Sequence, residues 1–166
     1  FNFIFSSSAT VYGQAKTLPI TEEESIKQAE SPYGNTKQIS EEILYDYSKI
    51  NPKINVISLR YFNPIGAHNS GEIGELPIGV PQNLLPFITQ TAAGIYEKIT
   101  VFGNDYNTPD GTCIRDYIHV VDLAKAHIVA IENLILKKSN SNYNIYNIGT
   151  GNGTSVLEMI QSFIKV

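Results

Sequence analysis

Short apolar runs alternate along this chain with segments whose apolar residues recur every three or four positions. "FNFIF" (1–5) is apolar and aromatic and is followed by "SSSAT". That pattern predicts a buried strand whose carboxyl end opens onto a loop. Residues 14–30 are polar and irregular. Ser31 and Pro32 then predict a helix start, a capping hydroxyl followed by proline at the first helical position. Ile39, Ile43, Tyr47 and Ile50 form an amphipathic stripe behind it, and Pro52 ends the helix. "INVISLRYF" (54–62) reads as a second apolar strand, so strand, helix and strand predict a right-handed crossover and a parallel pair. Residues 63–81 are rich in Gly and Pro and predict a long loop, the kind that often carries function.

Asn83 to about Glu97 reads as a helix with Pro86 in its first turn, and "ITVF" (99–102) as a short strand. "GNDYNTPDGT" (103–112) is a turn-rich excursion. A helix over 121–137 carries Leu123, His127, Ile131 and Leu134 on one stripe, which makes His127 a core residue. "YNIYNIG" (143–149) is a strand, and Ser155 with Glu158 forms a capping box that opens a last helix. "GTGNGTS" (149–155) does not have the G-x-G-x-x-G spacing of a phosphate loop and reads as a tight turn with a helix cap. The alternation of strands and helices predicts an α/β fold with a doubly wound parallel sheet. Ligands of such sheets sit beyond the carboxyl ends of the strands, so "SSSAT" and "RYFNPIG" should share one crevice.

Composition narrows the picture. Apolar residues make up 42% of the 166 positions and charged residues 17%, as in an ordered globular protein. The formal charge of −4 and the lack of a basic stripe argue against nucleic acid as the partner. No apolar run approaches the ~18 residues of a membrane span. Cys113 is the one cysteine, so no internal disulfide forms, and a reducing, cytoplasmic setting is the simpler expectation. His68, His119 and His127 lack metal-site spacing. The chain opens on Phe1 inside a strand pattern and closes inside a helical one, which leads us to expect a fragment.

Chemistry concentrates in "SPYGNTK" (31–37), where Tyr33 and Lys37 share one helix face. A phenol is a poor base at neutral pH, and activating one by roughly 3 pKa units takes about 4 kcal/mol. An ammonium ~6 Å away supplies only about 2.8 kcal/mol at an effective dielectric of ~20. A second positive charge is therefore needed, and an oxidised nicotinamide carries one. Y-x-x-x-K alone is a weak pattern that also suits a solvated helix turn.

The order of four motifs changes that reading. "FSSSATVYG", "SPYGNTK", "LRYFNPIGAH" and "RDYIHVVDLAKAH" follow one another, with the long excursion "FGNDYNTPDGTCIRDYIHV" among them. In this the chain resembles the sugar-nucleotide epimerases of the extended short-chain dehydrogenase/reductase family over nearly its whole length. The resemblance implies the Rossmann-type part of an NAD-binding domain in residues 1–62. Residues 63–166 then belong mostly to a smaller α/β domain for a UDP-sugar, with segments crossing back to the first sheet. It implies that Tyr33 is the catalytic acid and base, that Lys37 holds the nicotinamide ribose and tunes Tyr33, and that Ser8 hydrogen-bonds the sugar O4. Ser8, Tyr33, Lys37, Tyr61 and Phe62 would contact NAD. Asn63, Asn83, Leu84, Thr100, Phe102 and Arg115 would join Ser8 and Tyr33 around the UDP-sugar, with Arg115 on the diphosphate.

Each residue keeps a plainer reading: Ser8 as the end of a strand, Asn63–Pro64 as a turn, Asn83 as a helix cap, and Arg115–Asp116 as an ion pair. Ser6 and Ser7 read as structural. The resemblance also implies a homodimer through the Tyr33 helix, and a glycine-rich cofactor loop and further substrate contacts outside this chain. Residues 1–166 alone are then expected to bind NAD poorly and not to turn over. Two alternatives stay open: a 4,6-dehydratase, for which Ser8-Ala9-Thr10 lacks the needed carboxylates, and a non-catalytic module on the same fold, which would usually lose Tyr33 or Lys37.

Overall fold

A computed structural model describes residues 1–165. Its first sheet contains three parallel strands in the order β1 (Asn2–Ser8), β2 (Asn55–Tyr61) and β5 (Tyr143–Ile148). The helix α1 (Pro32–Ile50) connects β1 to β2. The chain leaves β2 through β3 (Asn63–Ile65), α2 (Leu84–Ala92), β4 (Ile114–His119) and α3 (Val120–Ile135) before it returns as β5. β3 pairs parallel with the end of β4, and β6 (Gly153–Ser155) pairs antiparallel with its start. The helix α4 (Val156–Ile164) follows.

β2 is the central strand, and its alternation sorts the two faces of the sheet. Ile57 and Leu59 point to the α3 side and pack with Ala130 and Leu134, with Ile4, Tyr61 and Ile148 around them. Burying such side chains stabilises by about 1.5–3 kcal/mol each. Val56, Ser58 and Arg60 point to the α1 side, where Arg60 meets Glu41 and Ser58 meets Tyr143. One face is therefore a hydrocarbon layer and the other a largely polar one.

That polar layer reverses one expectation about α1. Its inward face carries Gly34, Glu41 and Ser48, which are buried. The stripe Ile39, Ile43, Tyr47 and Ile50 faces outward, with Ile43 62% exposed. Periodicity found an apolar side of the helix but did not say what covers it. On α3 the inward stripe is Leu123, Ala130 and Leu134, whereas Ile131 is exposed. His127 is half-buried rather than core.

Several boundaries differ from the sequence reading. β1 runs through the three serines to Ser8, because its register with β2 continues to the Ser8–Tyr61 pair. A 3-10 turn, Ala9–Tyr12, follows at once. α2 stops at Ala92 instead of about Glu97. Gly94 takes φ 77° just beyond the cap, where its N–H reaches Thr91 O and Ile95 N–H reaches Gln90 O, the paired bonds of a Schellman stop. Residues 99–102 form no strand, because a four-residue run needs a partner edge and the β3–β4–β6 sheet does not offer one there. β3, β4 and β6 were not legible in the sequence: each is short and lies beside Pro, Gly or charged residues.

Candidate active site

Ser8 ends β1 and caps the 3-10 turn, its Oγ accepting from Thr10 N at 3.2 Å and from Thr10 Oγ1 at 2.9 Å. Gly13 closes that turn at φ 59°, and a Cβ there would stand 2.6 Å from Gln28 O. Gln38 of α1 donates to Val11 O and Lys27 O, tying the same loop to the helix. Ser31 caps α1 by accepting from Gly34 N at 3.1 Å, with Pro32 behind it. A Cβ on Gly34 would come within 3.2 Å of Thr10 O, so the first turn of α1 lies against the segment that follows Ser8. Sequence order alone separates these two turns by two dozen residues; the fold brings them together.

Tyr33 occupies that first turn and is 56% exposed. Lys37 Nζ donates to Ser6 O at 2.9 Å and lies 5.5 Å from the Tyr33 ring centre and 5.2 Å from that of Phe5. The lysine is thus seated on β1 by its strand carbonyl, beside the tyrosine ring. Tyr61 is the register partner of Ser8 on the neighbouring strand β2. Its hydroxyl lies 2.7 Å from Ser6 Oγ and 2.6 Å from His127 Nε2. The Leu123 carbonyl, 2.8 Å from His127 Nδ1, can only accept, so that nitrogen carries a proton. Burial pushes the Tyr61 phenol up, its bond to Ser6 opposes this, and nearby Tyr33 adds to it. Phe62 follows, half-buried, against the turn at Gly149.

The remaining candidates spread outward. Asn63 begins β3, paired with Tyr117, so the Asn–Pro pair is part of a strand and not a free turn. Asn83 holds the N-cap position of α2, but its side chain does not cap; Nδ2 donates to Glu75 Oε1 at 2.9 Å. Leu84 opens that helix, half-buried. Arg115 is exposed on β4 and donates to its neighbour's carbonyl, Ile114 O. It makes no ion pair with Asp116. That carboxylate instead accepts from Thr150 N, Thr150 Oγ1 and Gly151 N, which pins the "GTGNGTS" turn. Thr100 and Phe102 are exposed, Phe102 at 85%. Ser8, Tyr33, Lys37, Tyr61 and Phe62 therefore gather at the carboxyl edge of the first sheet, whereas Asn83, Leu84, Thr100 and Phe102 belong to segments away from it.

Sequence reasoning passed over Glu41, Arg60 and Tyr12. Arg60 is 2% exposed, and its Nε and Nη2 lie 3.0 and 2.5 Å from the Glu41 carboxylate. Glu41 also accepts from Ser7 Oγ, and Arg60 lies over the Tyr12 ring at 4.6 Å. The available signal was a lone arginine inside the apolar run "INVISLRYF". A charge there demands a buried partner.

Known proteins resemble this chain in sequence and in fold. The chain is 52% identical to the UDP-glucose 4-epimerase of Haemophilus influenzae over 99% of its own length and 48% of that protein. It is 55% identical to UDP-glucose 4-epimerase 2 of Arabidopsis thaliana, over 99% of its length and 46% of that protein. It thus spans about half the length of the curated relatives it matches. The solved UDP-glucose 4-epimerase of Bifidobacterium longum, in complex with NAD+ and UDP, superposes with a TM-score of 0.92 at 49% identity, covering 99% of this chain and 48% of that one. Residues 1–149 match the epimerase profile of the NAD dependent epimerase/dehydratase family, and the chain belongs to that family.

Proposed function

We propose that this chain carries the catalytic part of a cytoplasmic UDP-glucose 4-epimerase, which interconverts UDP-glucose and UDP-galactose through oxidation at sugar C4. The observation that carries the reading is Tyr33 and Lys37 on the first turns of α1, beside the Ser8 end of β1, with Lys37 held by Ser6 O at 2.9 Å. The residues present fit a nicotinamide nucleotide: an exposed phenol and an ammonium stand at the carboxyl edge of a parallel sheet, with the rings of Tyr61 and Phe62 close by. NAD, when bound, supplies the hydride acceptor at C4 and returns hydride to the opposite sugar face.

The chain's own residues handle the proton and the pose. Tyr33 takes the proton from O4 and later gives it back. The Ser8 hydroxyl hydrogen-bonds O4 and holds it toward Tyr33. Lys37, seated on β1, holds the nicotinamide ribose and adds positive charge beside the Tyr33 ring. Arg115, free of its acidic neighbour, offers its guanidinium to the diphosphate. Asn63, Asn83, Leu84, Thr100 and Phe102 line the uridine side. Residues 1–62 then serve the NAD domain and 63–166 mostly the UDP-sugar domain. A second copy of the protein covers the outward stripe of α1. The half of the relatives' length that this chain does not span supplies the rest of both sites.

The test is Tyr33→Phe in the full-length protein. Turnover of UDP-galactose should fall by two to four orders of magnitude, as for loss of a general acid and base, while UDP binding measured by calorimetry is retained. Near-normal turnover would sink the assignment.

A further inference from the structure

Among the described residues, Glu41 and Arg60 form an ion pair in which both residues are buried, at 4% and 2% exposure. Neither belongs to the constellation of Tyr33, Lys37 and Ser8. Yet Glu41 lies one helical turn beyond Lys37 and two beyond Tyr33. Its carboxylate is gripped by Arg60 Nε and Nη2 of β2 and by Ser7 Oγ of β1, the residue next to Ser8. The guanidinium lies over the ring of Tyr12, in the turn that follows Ser8, and Tyr12 donates to Asn147 Oδ1 of β5 at 2.7 Å. One pair of charges therefore joins α1 to β1, to the turn after Ser8, to β2 and to β5.

Stability does not account for such an arrangement. Replacing a buried ion pair by apolar groups of similar volume is often neutral or stabilising. What a two-pronged guanidinium–carboxylate contact supplies is direction. The other buried residues of α1, Gly34 and Ser48, are small and set no register of their own on the sheet, and Gln38 ties the helix to the loop after Ser8 rather than to a strand. A slide of about one residue's rise, ~1.5 Å, would break the 2.9 Å bond from Lys37 to Ser6 O and displace Tyr33 from Ser8.

We propose that the Glu41–Arg60 pair is a positioning device for the reaction, fixing where α1 sits along and around its axis and thereby the approach of Tyr33 to Ser8. This rests on the assignment of Tyr33, Lys37 and Ser8 given above. It separates two properties that a packing contact would keep together, fold stability and turnover.

The experiment compares the full-length protein with Glu41→Leu/Arg60→Met, an apolar pair, and with Arg60→Lys, which keeps the charge and loses the fork. Epimerisation of UDP-galactose, thermal unfolding and hydrogen exchange of the Tyr33–Lys37 segment are measured on each. The double variant should unfold within a few degrees of wild type and keep KM within about 3-fold. Its kcat should fall about 100-fold, the cost of a misplacement near 1 Å, and exchange in residues 33–37 should quicken. Arg60→Lys should lose at least about 10-fold in kcat, with the same KM. Wild-type kcat in either folded variant overturns the proposal; a double variant that does not fold leaves the decision to Arg60→Lys. Absence of epimerisation by the wild-type protein overturns the functional assignment itself.

Discussion

Burial pushes the Tyr143 phenol up to about 12, opposed by its 2.9 Å bond with Ser58 Oγ. An unfolded tyrosine ionises near 10, so the folded state holds the proton longer than the unfolded chain does. Stability from this group is complete below pH ~10 and is lost as pH rises toward 12. Tyr143→Phe should therefore flatten the alkaline limb of an unfolding-versus-pH curve between pH 10 and 12. At neutral pH it should cost about 1 kcal/mol, because buried Ser58 loses its partner. An unchanged alkaline limb would show that Tyr143 does not control it. At this scale the sequence was most legible where a residue's chemistry is rare: Tyr33, Lys37 and Ser8 stood out by type and order, and the fold gathers them. Arg60 was conspicuous as a lone charge in an apolar run, but its pairing with Glu41 depends on which face of β2 meets α1, a tertiary fact that no local pattern contains.

The elements show the same division. The capping box at Ser155 and Glu158 forms as its spacing predicts, Ser155 Oγ accepting from Glu158 N at 3.1 Å and Glu158 answering on Ser155 N at 2.8 Å. The structure adds a third partner, Asp110 of the long excursion, which accepts from the Ser155 hydroxyl and from Thr112 N and Oγ1. Those bonds, Ser155 first, hold the Asp110 carboxyl below the usual range. Ser155→Ala should cost about 1 kcal/mol in global stability, a fall of roughly 2–4 °C in Tm for a protein of this size. Ser155→Asp, ordinarily a good cap, should fare no better than Ala, because its charge would face Asp110. A fully stable Ser155→Asp variant would rule out that contact. β4 and β6 escaped the sequence reading because they exist only through each other and through β3; "IRDYIH" and "GTS" have no strand pattern of their own.

On the scale of the molecule, the parallel pairing of β1 with β2 and the α/β class were readable from the alternation of apolar runs and periodic segments, whereas the place of β5 beside β2 emerges only in the fold. What covers each face was not. The outward stripe of α1, with Ile50 80% exposed, is the surface for which a second copy is proposed. Ile43→Glu in the full-length protein should shift light scattering from dimer mass toward monomer, since an unpaired charge is costly to bury. The unfolding midpoint of the monomer should change little, because Ile43 makes no part of the buried core. Unaltered dimer mass would place the interface elsewhere. The two-faced character of β2 has a further consequence, for folding errors. Shifting this strand by one position would turn Arg60 toward Ala130 and Leu134 and present Leu59 to the Glu41 carboxylate. Both charges would then be buried without partners. The central strand thus carries its own reading frame: each out-of-frame pairing is rejected by the same two ions that seat the helix, before any ligand is bound.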